Sequence, residues 1–321
     1  MRILMVGAGA LGQVFGLWLT EGGASVTYEG RQGRDSGDAR TLFRLRRFGR
    51  PVPGQLRPAG PADGPADGAW DAVWLCVPSP ALHEPWVRAL RDRIDTGAST
   101  GTGTGTATIV TIGQDPRDLP ALTEIWPAER IVQLVPSVLA HRTPAGIAYW
   151  LPPGTAHTVH GTDDRVRPVI TALRAAGVRV RRARRPGAAE LGAARMIPYI
   201  AALEAADWSL PALRAHLTTP AAATREAVTV TAALLHRPRP RPHVPALAAG
   251  LVLRVLPVLA PFDLPRYLRT HFTKVGGQTR DMLDAWITEG TARGLPVTAL
   301  RELRTALNSP CTSVDLTSPD I

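Results

Sequence analysis

Short apolar runs alternate with amphipathic segments through the first half of the chain. The run RILMV predicts a buried strand, and ALGQVFGLWLTEGG after it predicts a helix that ends at a glycine. Further strands are predicted for ASVTYEG, AWDAVWLCV, ATIVTIG, RIVQLVP and IAYWLP, with a helix over about residues 83–95. Strands that alternate with helices are typical of a mostly parallel sheet with helical crossovers.

After about Gly187 the strand pattern fades and helical periodicity replaces it. The stretch HRPRPRPHVP interrupts this half, and because proline cannot donate a backbone hydrogen bond we predict an extended connector there. A spacer is favoured over a lid or a partner-binding segment. Helices are predicted over roughly residues 188–207, 210–216, 220–235, 244–260, 263–289 and 296–308.

The composition favours a globular protein with a basic surface. The 321 residues are 45% hydrophobic and carry a formal net charge of +10. All but one of the 37 Lys+Arg residues are arginine, which a GC-rich bacterial genome would produce. The arginines are scattered without interleaved aromatic residues, which argues against nucleic-acid binding, while the positive charge favours anionic ligands such as phosphorylated cofactors.

The cysteines and the apolar runs narrow the class of protein further. Cys76 and Cys311 offer no disulfide framework and no metal-ligand spacing. No secretory signal precedes the first predicted strand. The most apolar run, VPALAAGLVLRVLPVLAPF, is interrupted by Arg254, Pro257 and Pro261, so it predicts a buried helix and not a membrane span. We therefore expect a cytoplasmic protein with no metal, no membrane association and no nucleic-acid partner.

The sequence GAGALG is the strongest chemical signal in the chain. It follows a predicted strand and opens a predicted helix, which is the context of a dinucleotide-binding turn. Gly7 would permit the tight turn, Gly9 would let a pyrophosphate approach the backbone, and Gly12 would let helix and strand pack closely. The helix N-terminus would present free N–H groups to the phosphates. The predicted cofactor-binding residues here are Gly7, Ala8, Gly9, Ala10, Leu11 and Gly12.

The end of the second predicted strand selects between NAD and NADP. An acidic residue there holds the ribose 2′-hydroxyl of NAD, whereas an arginine accommodates the 2′-phosphate of NADP. The sequence EGRQGR offers Glu29 and then Arg31 and Arg34. Two cations against one carboxylate favour NADPH, with Arg31 as the predicted phosphate ligand. The alternative is that these arginines are solvated loop residues.

Several segments resemble the ketopantoate reductase family. MRILMVGAGALGQVFG is close to the opening of that family, VTYEGR lies where a family strand ends in the NADPH-binding arginine, and AWDAVWLCV resembles the next strand. AAGVRVRR, AAELGAARM and GLPVTALREL resemble later segments, so the similarity covers nearly the whole chain. The resemblance implies a Rossmann domain joined to an all-helical domain, a substrate cleft between them, and reduction of a 2-oxo acid by NADPH.

The predicted fold class is α/β, with an N-terminal Rossmann-type doubly wound parallel sheet. The resemblance implies an all-helical C-terminal domain of the type found in 6-phosphogluconate dehydrogenase. The predicted boundaries are 1–187 for the dinucleotide-binding domain, 188–308 for a helical domain that binds substrate and dimerises, and 309–321 for a frayed tail. We accordingly expect a homodimer.

The chemical residues of the family are absent from the matching positions. The resemblance places the proton-donating lysine of the family beside Arg195 and the asparagine one helical turn later at Pro198. The Asn-Gly pair of the family falls near Gln114, which could still donate a hydrogen bond to the cofactor, and its late glutamate falls at Gln278. Because the chain has no lysine other than Lys274, the acid–base site differs from that of the family.

The residues around Lys274 are candidates for the missing chemistry. A reduced carbonyl leaves an alkoxide that needs a proton donor, and lysine and histidine both do this work. On one helix, Lys274 and Gln278 would share a face, with His271 one turn earlier. The alternatives are that Lys274 is a surface residue without a role and that Tyr199, a second candidate donor, is a core aromatic residue. The predicted catalytic residues are Lys274, His271 and Tyr199, and the predicted substrate-binding residues are Arg195, Gln278, Arg280 and Glu204, with Asp207 as a further carboxylate.

The sequence thus predicts an NADPH-dependent oxidoreductase. Its predicted substrate is a small, anionic carbonyl or imine compound other than ketopantoate, and its predicted role is in specialised metabolism. A protonated imine already carries its proton, so loss of the lysine would cost little, and Glu204 would stabilise the cation. Two other classes stay open. One is a non-redox enzyme such as a cyclase or isomerase, and the other is a binding protein without catalysis.

Overall fold

The computed structural model describes residues 1–30, 33–34, 40–59, 70–97, 107–113, 115–183, 185–238, 246–274 and 276–308. The chain divides into two units. The first unit comprises Met1–Gly192 with Leu259–Pro261, and the second comprises Ala193–Val258 with the chain after Pro261.

The strands all belong to the first unit. In the described part of the chain they are β1 (Arg2–Val6), β2 (Ser25–Gly30), β3 (Gly33–Arg34), β4 (Arg40–Arg44), β5 (Val52–Leu56), β6 (Ala72–Leu75), β7 (Thr108–Thr111), β8 (Ile131–Val135), β9 (Leu139–Thr143), β10 (Gly146–Trp150), β11 (His157–His160) and β12 (Val180–Arg182).

Eight of these strands form the main sheet, in the order β12-β11-β8-β7-β6-β1-β2-β3. The five neighbours from β8 to β2 are parallel, while β11 is antiparallel to β8 and β3 is antiparallel to β2. The strand order reverses between β1 and β6, since β2 lies on one side of β1 and β6 to β8 lie on the other. The predicted mostly parallel sheet is confirmed.

The helices fill the connections of the first unit and build the second. They are α1 (Ala10–Glu21), α2 (Ser79–Leu82), α3 (Trp86–Gly97), α4 (Asp118–Thr123), α5 (Asp163–Ala175), α6 (Ala188–Ala205), α7 (Leu210–Ala215), α8 (Thr218–Leu234), α9 (Ala246–Leu259), α10 (Leu264–Lys274), α11 (Gly276–Ala292) and α12 (Thr298–Ala306). The predicted helical region after the sheet is confirmed. No helix in the described ranges is long and apolar enough to cross a membrane.

A second sheet, in the order β5-β4-β10-β9, packs on the side of α1 away from the main sheet. All residues of α1 from Gly12 to Leu19 are buried, which explains why this helix is apolar around its whole circumference. The prediction that IAYWLP extends the parallel sheet is wrong. This segment is β10, which pairs with β4 and β9, because an apolar run does not identify the partner of a strand.

The helix predicted over 263–289 corresponds to α10 and α11, which are helical on either side of residue 275. Residue 275 itself lies outside the described residues.

The second unit has its own apolar core. Gly290 of α11 lies close to the segment before α12, because a Cβ at this position would come within 2.4 Å of Val297. The helix α8 packs against both α11 and α12. A buried cluster is formed by Leu203, Trp208, Leu210 and Leu213, with Leu217, Leu253, Leu268 and Phe272 packed against it.

Candidate functional site

The glycines of the GAGALG turn differ in what surrounds them. Gly7 has φ +102°, and a Cβ there would lie 2.5 Å from the Cys76 carbonyl oxygen. A Cβ on Gly12 would lie 2.1 Å from the Gly7 carbonyl oxygen, whereas a Cβ on Gly9 would meet nothing within 4 Å. Gly7 and Gly12 are therefore required by the backbone and its packing, while Gly9 leaves an open approach to the turn.

Side chains that sequence reasoning missed hold the turn in place. The buried Tyr28 hydroxyl donates to the Gly12 carbonyl oxygen at 2.9 Å, and burial raises the pKa of this phenol, which keeps it a donor. The Ala8 carbonyl oxygen accepts from Gln13 Nε2 at 2.9 Å and from Arg142 Nη2 at 2.8 Å. Arg142 lies on β9, and its separation of 134 residues from Ala8 leaves no local signal in the sequence.

The N-terminus of α1 suits an anionic group. Gly9 is the N-cap, no side chain caps the helix, and the first turn contains no acidic residue. The first N–H groups of a helix lack internal partners and carry a partial positive charge. The backbone is open to a ligand at Gly9, and the Arg142 guanidinium, bound to the Ala8 carbonyl, adds a positive charge. The turn and the first residues of α1 therefore fit the pyrophosphate of a dinucleotide.

The acidic residue at the end of β2 is already engaged. Glu29 is mostly buried, with 14% of its side chain exposed, and its carboxylate pairs with the Arg93 guanidinium of α3. Arg40 stacks over the Tyr28 ring at 5.0 Å from its centroid; burial lowers its pKa, and the nearby positive charge of Arg142 contributes in the same direction. The predicted phosphate ligand Arg31 lies outside the described residues, as does the side chain of Arg34.

A second polar cluster lies at the carboxyl ends of β6 and β7. Asp118 Oδ2 accepts from Ser79 Oγ at 2.7 Å and from the Asp115 amide at 3.1 Å, and Asp118 Oδ1 lies 3.2 Å from His83 Nε2. Arg117 pairs with both carboxylate oxygens of Asp115, at 2.9 and 2.7 Å. Sequence reasoning named only the neighbouring Gln114, which lies outside the described residues.

The two carboxylates of this cluster are shifted in opposite directions. Burial raises the pKa of Asp118, and the charge of Asp115 raises it further, against the hydrogen bond from Ser79. Burial also acts on Asp115, but the hydrogen bonds and charge of Arg117 outweigh it and lower the pKa of that carboxyl. Asp115 is therefore the member of the pair that holds a negative charge most firmly.

The second unit contains the other predicted site residues. Tyr199 of α6 is half-buried, and in the described part of the chain its hydroxyl has no hydrogen-bond partner; burial raises the pKa of this phenol. Arg195 on the same helix is exposed. Arg280 Nη2 donates to Glu204 Oε1 at 2.7 Å, so these two predicted substrate ligands bind each other. Glu204 Oε2 is buried and has no partner among the described residues.

Lys274 and Gln278 lie on either side of residue 275, which is outside the described residues. Lys274 is the last described residue of α10 and Gln278 lies in α11, so their shared helix face stays a prediction. The side chain of Lys274 lies outside the described residues. The His271 ring stacks on Tyr267, with ring centroids 5.6 Å apart, and meets Phe272 edge-on at 4.9 Å, which gives it an aromatic environment.

Solved structures show the same architecture. A 2-dehydropantoate 2-reductase from Methylococcus capsulatus matches with a TM-score of 0.69 and 17% identity, covering 96% of each chain. The chain has the ketopantoate reductase fold. The D-mandelate dehydrogenase complex with NADH matches at 0.64 and 14% identity, and a dimeric ketopantoate reductase from Staphylococcus aureus matches at 0.64 and 11% identity, both covering 96% of this chain and 98% of the other. No family model and no curated protein sequence matches. The predicted resemblance is thus confirmed at the level of the fold.

Proposed function

We propose that this chain is an NADPH-dependent oxidoreductase. The proposal rests on the open approach to the backbone at Gly9. The conformation of this turn requires glycine at positions 7 and 12, and the turn leads into a helix whose N-terminus no side chain caps. The turn and the first N–H groups of α1 would hold the pyrophosphate. Bound NADPH would supply a hydride at the carboxyl end of the main sheet.

The charges around β2 favour NADPH over NADH. The carboxylate of Glu29 would be the ligand of an NAD ribose, but it is neutralised by Arg93. Arg40 and Arg142 add positive charge beside the turn, which suits a ligand with a further phosphate. Arg31, which follows β2 in the sequence, remains our predicted ligand of the 2′-phosphate.

The substrate proposed is a small anionic carbonyl or imine compound other than ketopantoate, in a biosynthetic pathway of specialised metabolism. The sequence replaces the lysine and the asparagines that the family resemblance leads one to expect. The exposed Arg195 offers a cation on α6, and the Glu204–Arg280 pair leaves one buried carboxylate oxygen without a partner. These groups would recognise a substrate that differs from ketopantoate in its polar substituents.

Fluorescence titration with NADPH tests this function. Arg31→Ala should weaken NADPH binding by about 1.5–3 kcal/mol, the usual value of a charge-assisted hydrogen bond, and should leave NADH binding nearly unchanged. Arg50→Ala, at an exposed arginine of the same unit, is the matched control and should change neither affinity. Equal affinity of the unmutated protein for NADH and NADPH would refute the cofactor assignment, and binding of neither would refute the redox function.

We further propose that the protein is a homodimer that uses one face of α9. Leu251, Val252, Val255, Val258 and Leu259 are between 40% and 62% exposed. Their spacing places all five on one face of the helix, while the opposite side contributes Leu253 to the core of the second unit. A continuous apolar face of this kind is typical of an interface between subunits.

Val255→Glu should dissociate this dimer, because it places a charge in the centre of the apolar face. Size-exclusion chromatography with light scattering should show the variant as a monomer at concentrations where the unmutated protein is a dimer. Ala212→Glu adds the same charge at an exposed helical position of α7 and should remain dimeric. A dimeric Val255→Glu variant would place the interface elsewhere.

A further inference from the structure

The cluster of Ser79, His83, Asp115, Arg117 and Asp118 lies outside the GAGALG turn. It lies in the turns after β6 and β7. The strand order reverses between β1 and β6, so the cluster and β2 lie on opposite sides of this point. In a doubly wound sheet a dinucleotide binds across this point, and its adenosine half lies toward the end of β2. The half that carries the reacting ring therefore lies toward β6 and β7, beside this cluster.

The cluster presents His83 and Arg117 to solvent above two buried carboxylates. The side chains of Asp118 and Asp115 are 3% and 2% exposed, while those of His83 and Arg117 are 37% and 55% exposed. Both oxygens of the Asp118 carboxylate are occupied, one by Ser79 and the Asp115 amide and the other by His83 Nε2. The carboxylate thus fixes the imidazole through Nε2 and leaves Nδ1 for a further partner. A buried carboxylate in this position orients an imidazole and stabilises its protonated form.

We propose that His83 is the proton donor for reduction of a carbonyl substrate, with Asp118 as the residue that positions it. This rests on the proposed function and decides between its two substrate classes, because a carbonyl needs a proton where a protonated imine does not. As the carbonyl carbon receives a hydride, the π pair of the C=O bond moves to oxygen. The Nδ1–H of protonated His83 then donates its proton to that oxygen. An alcohol and neutral His83 result, and solvent reprotonates the ring.

Nuclear magnetic resonance of the histidine ring tests the placement without a substrate. The nicotinamide ring is aromatic and positively charged in NADP⁺ but neither in NADPH, so the magnetic environment of a neighbouring imidazole differs between the two complexes. We expect the His83 ring resonances, recorded at one fixed pH, to differ between the NADP⁺ and NADPH complexes. His83→Gln assigns the resonance, and His160 of the same unit is the control that should not move.

The positioning role of Asp118 has a separate readout. Asp118→Asn keeps the shape of the side chain and removes the carboxylate that orients the imidazole, so the difference between the His83 resonances in the two nucleotide complexes should shrink. A residue that only held the turn would lower the melting temperature and leave this difference unchanged, which would overturn its assigned role. Equal His83 resonances with NADPH and NADP⁺ would overturn the placement of His83 beside the reacting ring. Failure to bind either nucleotide is a different result, and it would refute the proposed function itself.

Discussion

Replacing Gly9 by valine is expected to abolish NADPH binding while the protein stays folded. Gly9 has φ −70° and ψ 178°, which is extended backbone that valine adopts readily. A Cβ at Gly9 meets nothing within 4 Å in the structure, so the new side chain would not disturb the packing. It would instead occupy the approach through which a pyrophosphate reaches the backbone. We expect fluorescence titration to show a loss of affinity of about 100-fold or more, comparable to the loss of two charge-assisted hydrogen bonds.

Two other glycines provide the controls for this experiment. Gly12→Ala should lose both NADPH binding and stability. Its Cβ would lie 2.1 Å from the Gly7 carbonyl oxygen, which could move away only if the backbone of the turn were distorted. Gly192→Ala, in the interior of α6 with nothing within 4 Å, should bind NADPH normally and be more stable by about 0.5–1 kcal/mol. Thermal unfolding followed by circular dichroism separates the three variants. A Gly9→Val variant that binds NADPH normally would show that the nucleotide lies elsewhere.

The parts of the fold that could be predicted from sequence are those with local causes. The alternation of apolar runs and helices identified β1, α1, β2, β6, β7 and β8, because each strand is a short apolar run and α1 follows directly on a glycine-rich turn. The helical second half was equally visible, since α6 to α12 each repeat apolar residues at helical spacing. The turn geometry at Gly7 and Gly12 follows from the pattern itself, because only glycine tolerates those close backbone contacts.

The second sheet could not be predicted, because its causes are distant in sequence. β4 pairs with β10 across about a hundred intervening residues, and β5 is largely exposed with a central glycine. The same reason hides the cluster around Asp118. His83 and Asp118 are 35 residues apart, and no spacing rule joins them. Their proximity follows from the parallel pairing of β6 with β7, which brings the turns after both strands to one edge of the sheet.

Lys274 is the predicted ligand for an anionic group of the substrate. It is the one lysine of the chain, in α10, and the family resemblance implies a glutamate at the position of Gln278. The positive charge of Lys274, together with glutamine instead of glutamate at position 278, would favour a substrate with a carboxylate, a phosphate or an enolate-like oxygen. This role is distinct from that of His83, since binding an anionic substituent and delivering a proton need different groups.

Lys274→Met is therefore expected to lower activity by about 100-fold or more, the usual effect of removing a positioned charged group. Methionine keeps much of the apolar stem and deletes only the charge, so the melting temperature should hardly change. Lys274→Arg should restore part of the activity, because a guanidinium keeps the charge but differs in shape and hardly releases its proton. The measurement is the rate of NADPH oxidation with the carboxylate-bearing carbonyl compound that the unmutated protein reduces fastest. Full activity in Lys274→Met would show that the lysine has no part in the reaction, whereas a loss that Lys274→Arg does not relieve at all would point to its proton and not its charge.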